Sequence, residues 1–286
     1  PMLSSTEPST PNSPAPPQLT IGELGTYALI VTLSEGTTPS AVVTDQLPTG
    51  LLYTGVFSIV TSAAASNGLL GANFAGAVPA PSVSGGPFSG GTDPVFTFTS
   101  IVNPGDNVAN NNSFLILLET RVLNVVGNSG LTPPGQTTLP NSATLQVPSS
   151  PLASAGPVNI VVVEPSLTID TDIIEVGVDP GDPITVTMTV SNVGTSDSFD
   201  TLVHNQLNPA QFQMGTIIFT STPGGFTPTV DPMTGLITYT GGTIPDGGSV
   251  TFSYTITTSR TLPANTILTS TGDALGTTLP GPDPGE

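Results

Sequence analysis

The sequence has no cysteine, no tryptophan and no lysine, and among its 286 residues it carries one histidine and two cations, Arg121 and Arg260. Each shortage removes a class of function. Two cations cannot form a basic nucleic-acid surface. One histidine without cysteine cannot build a Cys/His zinc site. Without lysine there is no Walker-type phosphate loop and no Schiff-base chemistry. Disulfide scaffolds are excluded as well. Charge is scarce overall, at 8% of residues, and one-sided: twenty acids against two bases give a formal net charge of −18. Most carboxylates must therefore be solvated, cap turns or hold a cation.

Other residue types are plentiful. Glycine (32) and proline (31) punctuate the whole chain, yet 36% of residues are hydrophobic and the mean hydropathy is +0.23. The apolar residues alternate rather than scatter, which argues for a folded chain over a disordered tract. A chain of this length fits two domains of ~100–150 residues. The longest strongly apolar run, Phe114–Leu118, is far short of the ~20 residues of a membrane-spanning helix. Nothing reads as a secretory leader. The start at a proline within a Pro/Ser/Thr tract reads as a piece of a longer protein.

Residues 1–17 have the composition of an extended linker. From Gly25 to Ser34 the pattern alternates, with Tyr27, Leu29, Val31 and Leu33 on one face, as in a half-buried strand. Further strands are expected at Ala41–Leu47, Leu51–Val60, Pro94–Ile101, Phe114–Val126, Ala143–Val147 and Val158–Val163. Turn signals such as Pro48-Thr49-Gly50 and Asn103-Pro104-Gly105-Asp106 separate them. Thr61–Thr92 breaks this rhythm. Its Gly, Ala, Ser and Pro suit a long surface loop, a short helix near Ala63–Ala65 or a Gly-rich strand pair.

The second half repeats the first. The ten residues Gly22–Val31 align with Gly181–Val190, and Val43–Pro48 aligns with Val203–Asn208. Near the ends, Thr120-Arg121-Val122-Leu123 faces Ser259-Arg260-Thr261-Leu262, followed by Leu139-Pro140-Asn141 and Leu262-Pro263-Ala264-Asn265. The two arginines are thus expected at equivalent places, with the join near Val163-Glu164-Pro165. The expected organisation is an extended segment (1–17), a first β-sandwich (18–163, with an insertion at 61–92) and a second (164–286). No segment of ten or more residues has the 3.6 period of a helix, so the expected class is all-β: two tandem immunoglobulin-like β-sandwiches of seven or so strands.

These motifs resemble a known family, the tandem repeat domains of bacterial and archaeal cell-surface proteins. The residues that carry the resemblance are Pro180-Gly181-Asp182, Thr185–Val190 and Asn192-Val193-Gly194 in the second half. In the first half they are Asp45-Gln46-Leu47-Pro48-Thr49-Gly50-Leu51 and Asn141-Ser142-Ala143. The resemblance implies an extracellular or cell-surface location. Related fimbrial domains form internal Lys–Asn isopeptide bonds, often from a lysine after a Leu-Thr-Ile segment. Here Leu167-Thr168-Ile169 is followed by Asp170, and the absence of lysine excludes such a bond within this chain.

The chemistry-bearing residues are few. His204 has Asp200 four residues before it, but no Gly-x-Ser-x-Gly elbow occurs, and His204 aligns with Thr44, an ordinary strand position. Asp170 and Asp172 project from one face of a strand, ~7 Å apart, without the aromatic platform or cleft of a carboxylate pair at work. Catalysis is not expected and no catalytic residue is assigned. Calcium is the expected ligand of any acid cluster here, its candidate oxygens being Glu164, Asp170, Asp172, Glu175, Asp179 and Asp182. The plainer reading is solvated acids and turn caps, which Asp179-Pro180-Gly181-Asp182 suits. Asp231–Gly235 reads as a hairpin turn, and Asn111-Asn112-Ser113 is a glycosylation sequon. The function expected is a structural module of a secreted or surface protein, as a subunit of a filament, sheath or surface layer. The alternative is an adhesin stalk, or a binding module that uses residues 61–92. The expected partners are further copies or neighbouring repeats, without nucleic acid and without membrane insertion by this chain. Residues 1–17, having no core of their own, are expected to order by lying on an exposed sheet edge, bridging subunits.

Overall fold

The structure, a computed structural model, describes residues 1–7, 16–85, 90–128, 137–148, 150–174 and 179–282. It divides into two compact units, Pro1–Val163 and Glu164–Asp283. Among the described residues the only helical pieces are single 3-10 turns, as the lack of any 3.6-period segment requires. No helix is long and apolar enough to cross a membrane.

The first unit contains β1 (Met2–Ser5), β2 (Gln18–Leu19), β3 (Leu24–Thr32), β4 (Gly36–Thr38), β5 (Ala41–Gln46), β6 (Leu51–Val60), β7 (Ser82–Ser84), β8 (Val95–Phe98), β9 (Ile101–Asn103), β10 (Ser113–Val122), β11 (Thr137–Gln146) and β12 (Ala153–Val162). One sheet has the order β1-β3-β10-β6 and another β2-β12-β11-β5-β8-β7, while β4 and β9 form a separate two-stranded sheet. Inward positions recur with period two. Tyr27 and Val31 of β3, Val43 of β5, Phe96 and Phe98 of β8, and Phe114, Ile116 and Leu118 of β10 meet in one buried cluster. Edge-to-face rings knit it together, with Phe114 against Phe98 at 5.8 Å and against Phe74 at 5.5 Å.

The second unit contains β13 (Leu167–Ile174), β14 (Pro183–Asn192), β15 (Phe199–Leu207), β16 (Ile218–Ser221), β17 (Phe226–Asp231), β18 (Leu236–Gly241), β19 (Ser249–Thr257) and β20 (Ser270–Thr277). Its sheets have the orders β13-β14-β19-β16 and β17-β18-β15-β20. Its separate core joins Ile184, Val186, Met188 and Val190 to Tyr239, Phe252 and Tyr254.

Each strand of the second unit has a counterpart in the first. The order β1-β3-β10-β6 corresponds to β13-β14-β19-β16, and β7-β8-β5-β11 to β17-β18-β15-β20; β2, β12 and the β4-β9 pair are additions to the first unit. The turn that opens each repeat has the same bonds. Glu23 N–H donates to Thr20 O (3.2 Å) while the Glu23 carboxylate accepts from Thr20 N–H (2.9 Å). Asp182 does the same with Asp179, at 3.0 and 3.1 Å. Val122 N–H donates to Glu23 O, as Thr258 N–H does to Asp182 O.

That register corrects two sequence alignments. Arg121 lies opposite Leu24, whereas the residue opposite the equivalent Pro183 is Thr257. Arg121 therefore corresponds to Thr257, and Arg260 falls three positions beyond, after β19 has ended. Arg260 packs against the turn instead: a Cβ on Gly181 would lie 3.0 Å from its Cγ. Likewise Asn141 corresponds to Ser270, because Gln46 pairs with Ser142 and the equivalent Gln206 with Thr271. Leu262–Asn265 lies in the loop before β20. Both alignments matched residue types across loops of unequal length, where strand register gives no constraint.

Thr61–Thr92, which the sequence left open, begins with a 3-10 turn at Ala63–Ala65 and reaches β7, with Leu70 and Phe74 buried on the way; residues 86–89 lie outside the described set. Of residues 1–17, the segment Met2–Ser5 lies on a sheet edge, that of β3 in the same chain, with Ser5 opposite Gly25 and Met2 opposite Tyr27, and 8–15 lie outside the described residues. Glu23 holds its far end, one carboxylate oxygen accepting from Glu7 N–H at 3.0 Å.

Candidate functional site

Among the described residues, the acids named from the sequence do not converge. Asp170 and Asp172 are exposed on the outer face of β13, opposite Thr189 and Thr187. Asp179 and Asp182 close the reciprocally bonded turn before β14. Glu164 sits at the head of the second unit, its backbone exchanging hydrogen bonds with Thr195. Glu175 lies outside the described residues. Among the described residues no group of three or more Asp, Glu, His or Cys side chains is placed to hold a metal ion.

His204 stands on β15 directly opposite Asp273 of β20, with Nδ1 3.1 Å from Oδ2. Both side chains reach solvent, so this is a cross-strand surface pair. Asp200, the acid suggested by sequence spacing, accepts instead from Gly281 N–H at 2.6 Å. Asp231 caps its own hairpin turn through Met233 N–H and the Thr234 hydroxyl, which holds its carboxyl below the usual range.

The structure adds a buried polar centre in each unit. Asp45 of β5 is fully buried, and both of its carboxylate oxygens face Asn141 Nδ2 of β11, at 3.1 and 3.3 Å. Burial pushes this carboxyl up to about 7, against the opposing pull of the Asn141 hydrogen bond and with the nearby charge of Asp93 adding to the rise. The equivalent pair in the second unit is Asn205 and Ser270, joined at 2.7 Å, with Asn205 Nδ2 also donating to Thr271 O. Tyr254 donates its hydroxyl to Asn205 Oδ1 at 2.5 Å. In the first unit the Tyr27 hydroxyl is buried without a partner among the described residues. The signal for these centres was present in the alignment of Val43-Thr44-Asp45 with Val203-His204-Asn205. It puts a polar residue at the same inward parity in both repeats, between valine and leucine.

A carboxyl beside a carboxamide is the nearest approach to reactive chemistry among the described residues. With no lysine in the sequence, no amine side chain of this chain can attack Asn141. The pair borders a cleft of about 420 Å³, open on one side and lined largely by apolar side chains, between the edge of β3 and the strands β11 and β12.

No protein-family model matches the chain, and no curated protein resembles it in sequence. Solved structures do resemble it in fold. The C-terminal domain of the antigen I/II polypeptide BspA of Streptococcus agalactiae is 11% identical with a TM-score of 0.44, covering 90% of this chain and 89% of that one. The C-terminal domain of the antigen I/II-family protein AspA of Streptococcus pyogenes is 10% identical, TM-score 0.42, with coverages of 91% and 94%. The major pilin subunit BcpA of Bacillus cereus is 13% identical, TM-score 0.34, covering 91% of this chain and 63% of that one. Those chains are surface-antigen and pilin domains. At this level of likeness no residue's role transfers from them. The chain is a pair of immunoglobulin-like β-sandwiches.

Proposed function

We propose that this chain is a structural module of a secreted or cell-surface protein, and that it serves as a subunit of an extracellular filament, sheath or surface layer. The observation that carries this reading is the repetition. One sandwich is built twice on the same strand order and the same opening turn, and its polar centres are spent on internal hydrogen bonds. Tandem sandwiches supply length and resistance to unfolding, which a spacer needs and an enzyme does not. The N-terminal segment supports the finer part. Met2–Ser5 adds a short strand to the edge of β3, and the same contacts would form if the segment crossed to a neighbouring copy.

Electron microscopy of the concentrated full chain, beside a variant lacking residues 2–17, is the test. Ordered polymer from the full chain and discrete particles from the truncated chain are expected. Polymer from both would remove the bridging role. Discrete particles from both would remove the filament reading and leave a spacer module.

A further inference from the structure

The repeat supplies its own template for an incomplete site. In the second unit β13 runs antiparallel to β14 along Thr185–Asn192, and Leu167, Ile169 and Ile173 pack against the core; β13 also packs on β20. The equivalent stretch of the first unit is Thr26–Leu33. There β1 pairs no further than Tyr27, after which Pro1 O accepts from Ala28 N–H at 2.7 Å. Backbone groups of an antiparallel strand point to alternate sides. Ala28 N–H faces the β1 side, so Ile30 and Thr32 present theirs on that side as well, where β3 has no strand partner among the described residues.

The cleft of about 420 Å³ lies along this stretch, with Leu29, Val31, Val43, Leu145 and Ala155 on its walls. Ala155 and Ala153 pair directly with Ala143 and Leu145 and so share their side of the sheet. Leu145 packs against the core, yet both alanines are exposed. Part of the inward face of the sheet is therefore uncovered, beside an unpaired strand edge. In the second unit β13 covers the edge equivalent to this one and packs on β20, the counterpart of β11.

We propose that the cleft beside β3 is an acceptor for an extended peptide strand. The strand enters antiparallel to Ala28–Thr32, hydrogen-bonds to Ile30 and Thr32, and turns alternate aliphatic side chains into the cleft as β13 does. Backbone pairing supplies the binding and the alternate pockets supply selectivity. A net charge of −18, with Asp45 bordering the cleft, selects against acidic strands. The site goes beyond the structural reading above and stands whether the parent assembly is a filament or a stalk.

The test uses the isotope-labelled full chain and a synthetic octapeptide with the sequence of Leu167–Ile174, its two aspartates replaced by asparagine. At a peptide concentration ten times Kd, amide exchange at Ile30 and Thr32 is expected to slow about tenfold. A peptide with proline at its second and fourth positions, the residues that pair with Thr32 and Ile30 and would donate to β3, cannot complete the ladder and is expected to leave exchange unchanged. Ala155→Arg, at an exposed position that leaves the fold intact by circular dichroism, is expected to weaken octapeptide binding at least about tenfold. Three results would overturn the proposal: no slowing with the octapeptide, equal binding by the proline peptide, or undiminished binding to the Ala155→Arg chain. A fourth is a free chain that already sediments as an oligomer with Ile30 protected, which would assign the cleft to a second copy.

Discussion

Asp45 ionises against its surroundings, and the stability of the first unit should show it. The unfolded carboxyl releases its proton near the ordinary value of 3.8, whereas the folded one holds it up to about 7. Between those values the folded chain binds more protons, so stability falls as pH rises; it is full below about pH 4 and lost by the time pH passes about 7. At 1.36 kcal/mol per unit, the loss is about 4 kcal/mol at most. Asp45→Asn is expected to flatten the fall and to be more stable than the parent at pH 8, as judged by urea melts from pH 4 to 8. Asn205 at the equivalent position shows that the fold accepts the amide there. A parent chain whose midpoint does not change over this range would refute the assignment. The tyrosines give a second contrast. Tyr254→Phe leaves the buried Asn205 Oδ1 without its donor and is expected to cost about 1–3 kcal/mol. Tyr27→Phe removes a hydroxyl with no partner and is expected to be neutral or stabilising, which parallel denaturant curves will read directly. Sequence parity made Tyr27 legible as an inward residue, and the inward place of Asp45 was open to be read from the alignment of Val43-Thr44-Asp45 with Val203-His204-Asn205. It could not say that one hydroxyl would be satisfied and the other not, because the partners come from strands about fifty to a hundred residues away.

At the scale of the element, the strands were legible wherever one face is buried. The stretch expected as Gly25–Ser34 is β3 and its inward set matches, because period two with one apolar face fixes both strand and register. Phe114–Val126 runs only to Val122, since beyond it the chain turns into a 3-10 segment at Val126–Asn128. The short strands β4, β7 and β9 carry too few residues for a period to show. The first half of β12, Ala153–Pro157, was missed because its side chains gain no burial that would demand apolar residues. The Asn192-Val193-Gly194 turn illustrates motif chemistry that sequence identifies without explaining. Asn192 is buried; its Nδ2 donates to Ser196 O and Ile244 O, and its Oδ1 accepts from Ser166 and Gly194 N–H. Gly194 lies so close to the incoming chain that a Cβ would fall 2.4 Å from Glu164 O and Ser166 N. Gly194→Ala must therefore push backbone aside, and a loss of about 2 kcal/mol or more is expected in the second unit. A calorimetric trace in which this variant melts like the parent would show that the crossing is looser than these distances require.

At the scale of the whole molecule, duplication was legible in the order of motifs, and the strand orders bear it out, but the arginines misled. They were matched because they are rare, and rarity does not fix register. The metal-site reading drew on acids close in sequence; alternation sends Asp170 and Asp172 to the outer face, while Asp182 is engaged in its own turn. What governs the molecule globally is the imbalance of twenty acids against two bases, which leaves like charges to repel across a folded surface. Among the described residues the one close approach of a basic side chain to an acidic one is that of His204 to Asp273, so local pairing relieves little of this repulsion. Salt should do so instead, since the screening length contracts from about 30 Å at 0.01 M to under 8 Å above physiological strength. Raising sodium chloride from 10 to 500 mM, as two ends of about that range, is expected to raise the melting temperature by about 2–4 °C for each kcal/mol of repulsion relieved. Calcium at matched ionic strength is the discriminating arm. The calcium expectation attached to Glu164–Asp182 requires a further rise that Asp179→Asn with Asp182→Asn abolishes, whereas screening alone gives the same melting temperature in both salts. A melting temperature indifferent to sodium chloride would show that the acids are spaced beyond one another's reach, and that the charge imbalance carries no energetic weight in the folded chain.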